Sequence, residues 1–276
     1  VLADRRLLIK VMAIAPVGAA ALGFLAANFF SWNSLKPVHQ PIVHKVALVE
    51  PSPKPSPLPR NTIKPLPSSY QSKVFQGIQV PPSQKVIALS FDDGPLLGPT
   101  DRILEILKEN NIKATFFLIG QNVKRNPELV KKIFDDGHVI GNHSWTHPYN
   151  RQTLAGSAAE IDKTSAEIAK IIGSKPNMFR PPGGLMHTGL AEYAKSEKMG
   201  IILWSADSED YRAHNSPDVL LKNIFKEIKP GGIILMHDGG VKRSNTSEAL
   251  PLLIAKLKQE GYRFVTIPEL MKLGIH

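Results

Sequence analysis

The chain has no cysteine. That removes disulfides, thiolate metal sites and cysteine nucleophiles from consideration, and it says little about redox compartment. No G-x-S-x-G stretch is present, so nothing supports a serine-hydrolase mechanism. Residues 85–276 also lack a basic face interleaved with aromatics, so nucleic acid is not an expected partner. The charge excess lies elsewhere. Of a formal +10, residues 1–84 carry +7, with Asp4 and Glu50 as their only acids, and the remainder carries +3. Such placement fits a segment held near an anionic membrane or wall polymer.

Long apolar runs are equally scarce, with one exception. Arg5, Arg6 and Lys10 precede VMAIAPVGAAALGFLAANFFSW, residues 11–32, interrupted mainly by Pro16 and Asn28. A run of roughly 20 residues is long enough to span a bilayer. Ala19-Ala20-Ala21 offers small residues for signal cleavage, but the length and the terminal Phe29, Phe30 and Trp32 favour an uncleaved anchor. The positive-inside rule puts the N-terminus in the cytoplasm and the rest outside; cleavage would make the product secreted. Residues 1–36 are therefore expected to be an anchor or signal segment. Residues 37–83 are expected to be a Pro-rich linker that acts as a stiff spacer, PSPKPSPLP included.

From residue 84 to 276 short apolar runs alternate with amphipathic ones. Strands are expected at 85–91, 114–119, 138–142, 177–180, 201–205, 232–237 and 262–267. Helices are expected between them: 101–110 with Thr100 as N-cap, 126–137 opened by Asn126-Pro127 and stopped by Gly137, 153–172, 188–198, a helix capped at Ser216-Pro217-Asp218, and 247–260. Seven βα units imply a parallel sheet flanked by helices, either a small irregular barrel or an open doubly wound sheet. Either form places ligands at the C-terminal ends of the strands.

The polar residues collect at that end. Asp92 and Asp93 end the first strand in SFDDGP. His143 and His147 follow the third, Arg180 ends the fourth, Asp207 and Asp210 follow the fifth, and His237 ends the sixth. An isolated histidine is usually surface or core filler, and an aspartate after a strand is usually a turn residue. Five coincidences at one end of one sheet are harder to dismiss. Histidines four apart with one carboxylate make a two-His, one-acid metal site with open positions. The glutamate of H-E-x-x-H is absent, so a base must come from elsewhere, and the paired aspartates can supply one.

With these motifs in this order, SFDDGP, HSWTH, RPPGG, DSEDY and LMH, the sequence resembles the polysaccharide deacetylase family, the family-4 carbohydrate esterases, over roughly residues 84–270. The resemblance implies an α/β fold, a distorted (β/α)7 barrel, and removal of acetyl groups from sugar polymers. It implies Asp92 as catalytic base, and Asp93, His143 and His147 as ligands of one divalent ion. Zinc is the first expectation, with cobalt, manganese or iron as alternatives. It further implies Arg180 paired with Asp92, His237 as general acid, and Asp210 holding His237 protonated. Gly183 would supply an oxyanion N–H, and Leu235 a pocket for the acetyl methyl. Two positions depart from the family. Gly183 stands where an aromatic is usual, and Tyr211 where tryptophan is usual; both should alter substrate fit and leave the reaction intact. His187 and His214 read as loop residues. The expected enzyme is a monomeric, metal-dependent N-deacetylase acting on an acetylated glycan polymer, peptidoglycan first. It would be tethered to the membrane with its domain outside the cytoplasm. Chitin-like oligomers are the alternative substrate, and a non-catalytic glycan-binding relative is the alternative of another class.

Overall fold

The computed structural model describes residues 62–81, 83–240 and 244–274. The apolar run at 11–32 and the PSPKPSPLP stretch lie outside the described residues. Among the described residues, no helix is long and apolar enough to cross a membrane.

Among the described residues, nine strands form one sheet: β1 (Val74–Phe75), β2 (Val86–Asp92), β3 (Thr115–Leu118), β4 (Val139–Asn142), β5 (Met178–Phe179), β6 (Gly200–Ile202), β7 (Ala206–Asp207), β8 (Gly232–His237) and β9 (Arg263–Phe264). Their order is β1-β6-β5-β4-β3-β2-β8-β7, with β9 also on β2. Every strand pairing is parallel. The connecting helices are α1 (Pro99–Glu109), α2 (Gly120–Arg125), α3 (Pro127–Asp135), α4 (Leu154–Ile172), α5 (Leu190–Ser196), α6 (Pro217–Glu227), α7 (Ser244–Gln259) and α8 (Ile267–Leu273). The strands curl into the distorted βα barrel that the resemblance implies, and the open doubly wound alternative left by the pattern falls away.

Strand alternation sorts the side chains. Ile87, Leu89 and Phe91 of β2 pack outward with Ile234 and Met236 of β8 against helix residues such as Ile103, Ile133 and Leu253. Val86 and Ala88 point the other way, with Phe117, Met178 and Ile233. Because the side-chain period is two, Ser90 and Asp92 follow Ala88 to the inner side, and Leu235 and His237 follow Ile233. β2 and β8 pair with Asp92 opposite His237. The register therefore brings a carboxylate and an imidazole together at one end of the barrel.

Two sequence expectations need correction. Thr100 is not the N-cap of α1: Gly98 takes that place, Pro99 opens the helix, and Asp101 accepts the Gly98 N–H at 2.8 Å. Thr100 is buried instead and serves the site. Residues 62–81, expected to belong to the linker, are folded onto the domain instead. From residue 62 the chain lies on the domain, and Leu66, Tyr70, Ile78 and Val80 are buried among core residues. Each such burial stabilises by about 1.5–3 kcal/mol, which outweighs the tendency of neighbouring prolines to stay solvated. Lys73 and Phe75 accept N–H bonds from Ile201 and Leu203 at 2.8 and 2.7 Å, while Gly77 bridges Gly232. This strap thus joins β6 to β8. Gly231 permits the approach, since a Cβ there would lie 1.9 Å from the Ile78 carbonyl oxygen.

Candidate active site

Two adjacent carboxylates at a strand end should point apart. Asp92 is the last residue of β2 and faces inward; Asp93 has φ 74°. That left-handed turn swings the second carboxylate toward the same cleft. Asp238, fully buried one residue after His237, secures the turn. Its Oδ1 accepts the Gly94 N–H at 3.1 Å, its Oδ2 accepts the Thr100 hydroxyl at 2.6 Å, and its N–H donates to the Asp92 carbonyl at 3.0 Å. Burial pushes the Asp238 carboxyl up to about 7.

The loop after β4 carries the two histidines. Ser144 and His147 both take left-handed backbone, with φ of 67° and 61°. Side chains hold this shape. Asn142 Oδ1 accepts the Ser144 N–H at 2.8 Å, and Ser144 Oγ accepts that of His147 at 3.1 Å. Glu160 of α4 accepts the N–H groups of Trp145 and Thr146, each at 2.7 Å. His143 Nε2 and His147 Nε2 then lie 3.5 and 3.3 Å from Asp93 Oδ1. One ligand atom from each of the three falls within 4.8 Å of the others, the arrangement a single ion requires. His143 Nδ1 lies 2.7 Å from the Arg180 carbonyl, a partner that needs an N–H and so leaves Nε2 as a lone-pair donor. Burial and the neighbouring His143 push His147 down to about 4, which favours the neutral ring a ligand must have. Burial opposes charge on Asp93, yet the His143 contact and the surrounding histidines hold its carboxyl well below the usual range. The residues fit a divalent cation.

Arg180 is fully buried. Its Nη1 donates to Asp92 Oδ1 at 2.7 Å, and Nε and Nη2 donate to the carbonyls of Ile202 and Leu203 at 3.1 and 3.2 Å. Its guanidinium stacks 4.2 Å from the Phe117 ring centre. Asp92 Oδ2 stays directed to the trio, 3.6 Å from His143 Nε2. So one oxygen of Asp92 is anchored, and the other faces the reacting side.

Asp210 grips His237. Burial works against the charged imidazole, but the Asp210 bond and the nearby carboxylates outweigh it, and His237 is pushed up to about 9. Burial likewise opposes charge on Asp210. Its bonds to His237 and to the Thr246 hydroxyl at 2.6 Å hold its carboxyl below the ordinary value. His237 is therefore a cation at neutral pH, the form a general acid needs.

Asp92, Asp93, His143, His147 and His237 line one cleft of about 350 Å³, with Gly183, Leu235 and Tyr211 where the sequence places them, while Arg180 and Asp210 are buried behind it. His187 and His214 are exposed and do not line it. Tyr149, Trp204 and Asp207 line it and were not assigned a role from sequence. Tyr149 lies two residues past a ligand and Trp204 just past a strand, which is the signal that could have found them. Thr246 and Thr100 carry no such signal; only the fold brings them in.

A family model described as polysaccharide deacetylase matches residues 79–201. A peptidoglycan-N-acetylglucosamine deacetylase of Bacillus cereus is 38% identical over 200 residues, covering 70% of this chain and 92% of that one. The solved peptidoglycan deacetylase PdaC of Bacillus subtilis superposes with a TM-score of 0.63 at 35% identity, covering 70% of this chain and 93% of that one. A family-4 pseudoenzyme of Bacillus anthracis gives 0.64 at 36%, covering 71% and 68%. Identity of this degree over nearly the whole of a relative, together with the motif order, shows that the chain belongs to the polysaccharide deacetylase family.

Proposed function

We propose that this chain is a metal-dependent hydrolase that removes N-acetyl groups from the amino sugars of peptidoglycan. The carrying observation is the shared cleft. The Asp93, His143 and His147 ligand atoms converge within 4.8 Å, between an arginine-anchored Asp92 and an aspartate-held His237. The names of the relatives support the substrate. Two imidazoles and a carboxylate suit zinc, though cobalt, manganese and iron accept the same donors.

When bound, such an ion polarises the acetyl carbonyl and makes water a better nucleophile. Asp92, oriented by Arg180, takes the proton of the attacking water through the oxygen that Arg180 does not hold. Leu235 and Trp204 shape the cleft for the acetyl group. His237 gives its Nε2 proton to the leaving sugar nitrogen, and Asp210 stabilises the ring while it is charged. Arg5, Arg6 and the apolar run at 11–32 support a membrane tether that sets the domain beside the wall.

The test is acetate release by the full chain from peptidoglycan and from chitin oligomers, with zinc, with chelator, and for Asp92→Asn. We expect chelator-sensitive release from peptidoglycan. Asp92→Asn should lower it by about 10²–10⁴ while zinc stays bound. Release from chitin oligomers alone would keep the mechanism and move the substrate. No release with zinc bound would overturn the enzyme reading.

A further inference from the structure

We propose that Tyr149 is a specificity-determining residue, whose ring forms the wall on which a pyranose unit of the glycan stacks at the metal side of the cleft. The choice of a glycan as ligand rests on the deacetylase reading above.

Tyr149 is 61% exposed, yet its ring is placed by two neighbours. It meets the His147 ring edge-on, with centres 4.9 Å apart and planes at 82°. It also covers Gly183, where a Cβ would lie 3.0 Å from its Cε1. Gly183 has φ 58°, so this position both needs glycine and leaves room for the ring. The space beside residue 183 is thus occupied by an aromatic that arrives from the loop after β4. Tyr211, at the other end of the catalytic row, is 48% exposed and stands 5.9 Å from His237. Each end of the row therefore carries one exposed tyrosine, and both line the same cleft.

An exposed apolar ring held in one orientation suits a ligand with an apolar face. A pyranose presents such a face through its axial C–H groups, while its hydroxyls stay in water. The electron-rich face of an aromatic ring attracts those C–H groups. Tyrosine does this at low entropic cost, because only two side-chain torsions need fixing. The prior contact with His147 and Gly183 reduces that cost further.

The test uses the full chain loaded with zinc and an N-acetylglucosamine tetramer. Tetramer binding is followed by tryptophan fluorescence, turnover by acetate release, and zinc affinity by chelator competition. Tyr149→Phe should behave like the parent. Tyr149→Ala and Tyr149→Leu should weaken tetramer binding and raise KM about tenfold, the change expected for one lost ring contact. The loss should fall on tetramer binding and KM more than on kcat or zinc affinity. Parental tetramer binding by Tyr149→Ala would overturn the proposal. So would a fall in zinc affinity and kcat with tetramer binding unchanged, since the ring would then only position His147. Rescue by Tyr149→Leu would reduce it to space filling and overturn it as well. A parent that binds tetramer but releases acetate neither from it nor from peptidoglycan would sink the deacetylase reading alone, and the binding series would still decide the role of Tyr149. A parent that does not bind tetramer overturns the wall.

Discussion

Asp210 holds His237 at two points: its Oδ2 accepts the His237 backbone N–H at 2.8 Å, and its Oδ1 meets ring Nδ1 at 2.6 Å. One contact fixes where the residue sits and the other fixes which nitrogen is spent. Nε2 is left for the cleft that His237 lines, and the Asp210 contact outweighs burial and pushes the ring up to about 9. The stability gained from charging this ring is fully present below its unfolded pKa of 6.5 and is lost as pH rises through about 9.

Asp210→Asn should therefore move the alkaline fall in kcat down from about 9 toward the ordinary histidine value. It should also lower kcat by about tenfold to a hundredfold, as the charged acid becomes scarce near neutrality. A pH–rate profile of variant and parent checks this. An alkaline limb that does not move would show that another group sets it.

Arg180→Met should be severe. It leaves the Asp92 carboxylate buried without its charged partner and removes two bonds to the carbonyls of Ile202 and Leu203. We expect a loss of about 3–5 kcal/mol in urea denaturation. A loss below about 1 kcal/mol would mean that water reaches Asp92 in the variant.

Asp238→Ala strips acceptors from the Gly94 N–H and the Thr100 hydroxyl. Each buried donor left unmet costs about 1–3 kcal/mol. The Asp92–Asp93 turn should loosen, so zinc affinity should fall along with stability. Unchanged chelator competition would show that β2 alone holds the turn.

The strap gives a fourth expectation. A chain begun at residue 84 loses the buried Leu66, Tyr70, Ile78 and Val80 and the link from β6 to β8. It should be less stable than a chain begun at residue 62 by about 2–4 kcal/mol, after the ordering entropy of the strap is deducted. Matched denaturation curves test it; coincident curves would return these residues to the spacer.

Much of this protein is legible without a structure. β2 and β8 read as strands because 86–89 and 233–236 are unbroken apolar runs, and such runs are what doubly covered parallel strands need. Asn126-Pro127 announces a helix start by local chemistry, and α3 begins there. A two-histidine, one-carboxylate site is legible because His143 and His147 share one loop and the Asp92–Asp93 pair closes a strand, whereas the choice of Asp93 as the ligand comes from the family resemblance. The polar strand ends are then gathered by the rule that parallel βα folds carry their sites at one end. The strap is different. Its prolines are a compositional signal, whereas its burial depends on residues far away, as in the Tyr70 hydroxyl bonded to Met271 201 positions on.

Amino-acid order by itself determined the βα alternation, the ligand types and the acid–base inventory, since these depend on local propensity and on chemistry carried by single residues. Only the tertiary structure decided which groups act on one another. Arg180 reaches Asp92 across 88 positions, Asp238 reaches Thr100 across 138, and Tyr149 comes to cover Gly183 from another loop. The physical reason is that hydrogen bonds, charge pairs and ring contacts act over a few ångströms of space. Strand register and the left-handed turn at Asp93 set those separations, and neither is a property of any short stretch of sequence.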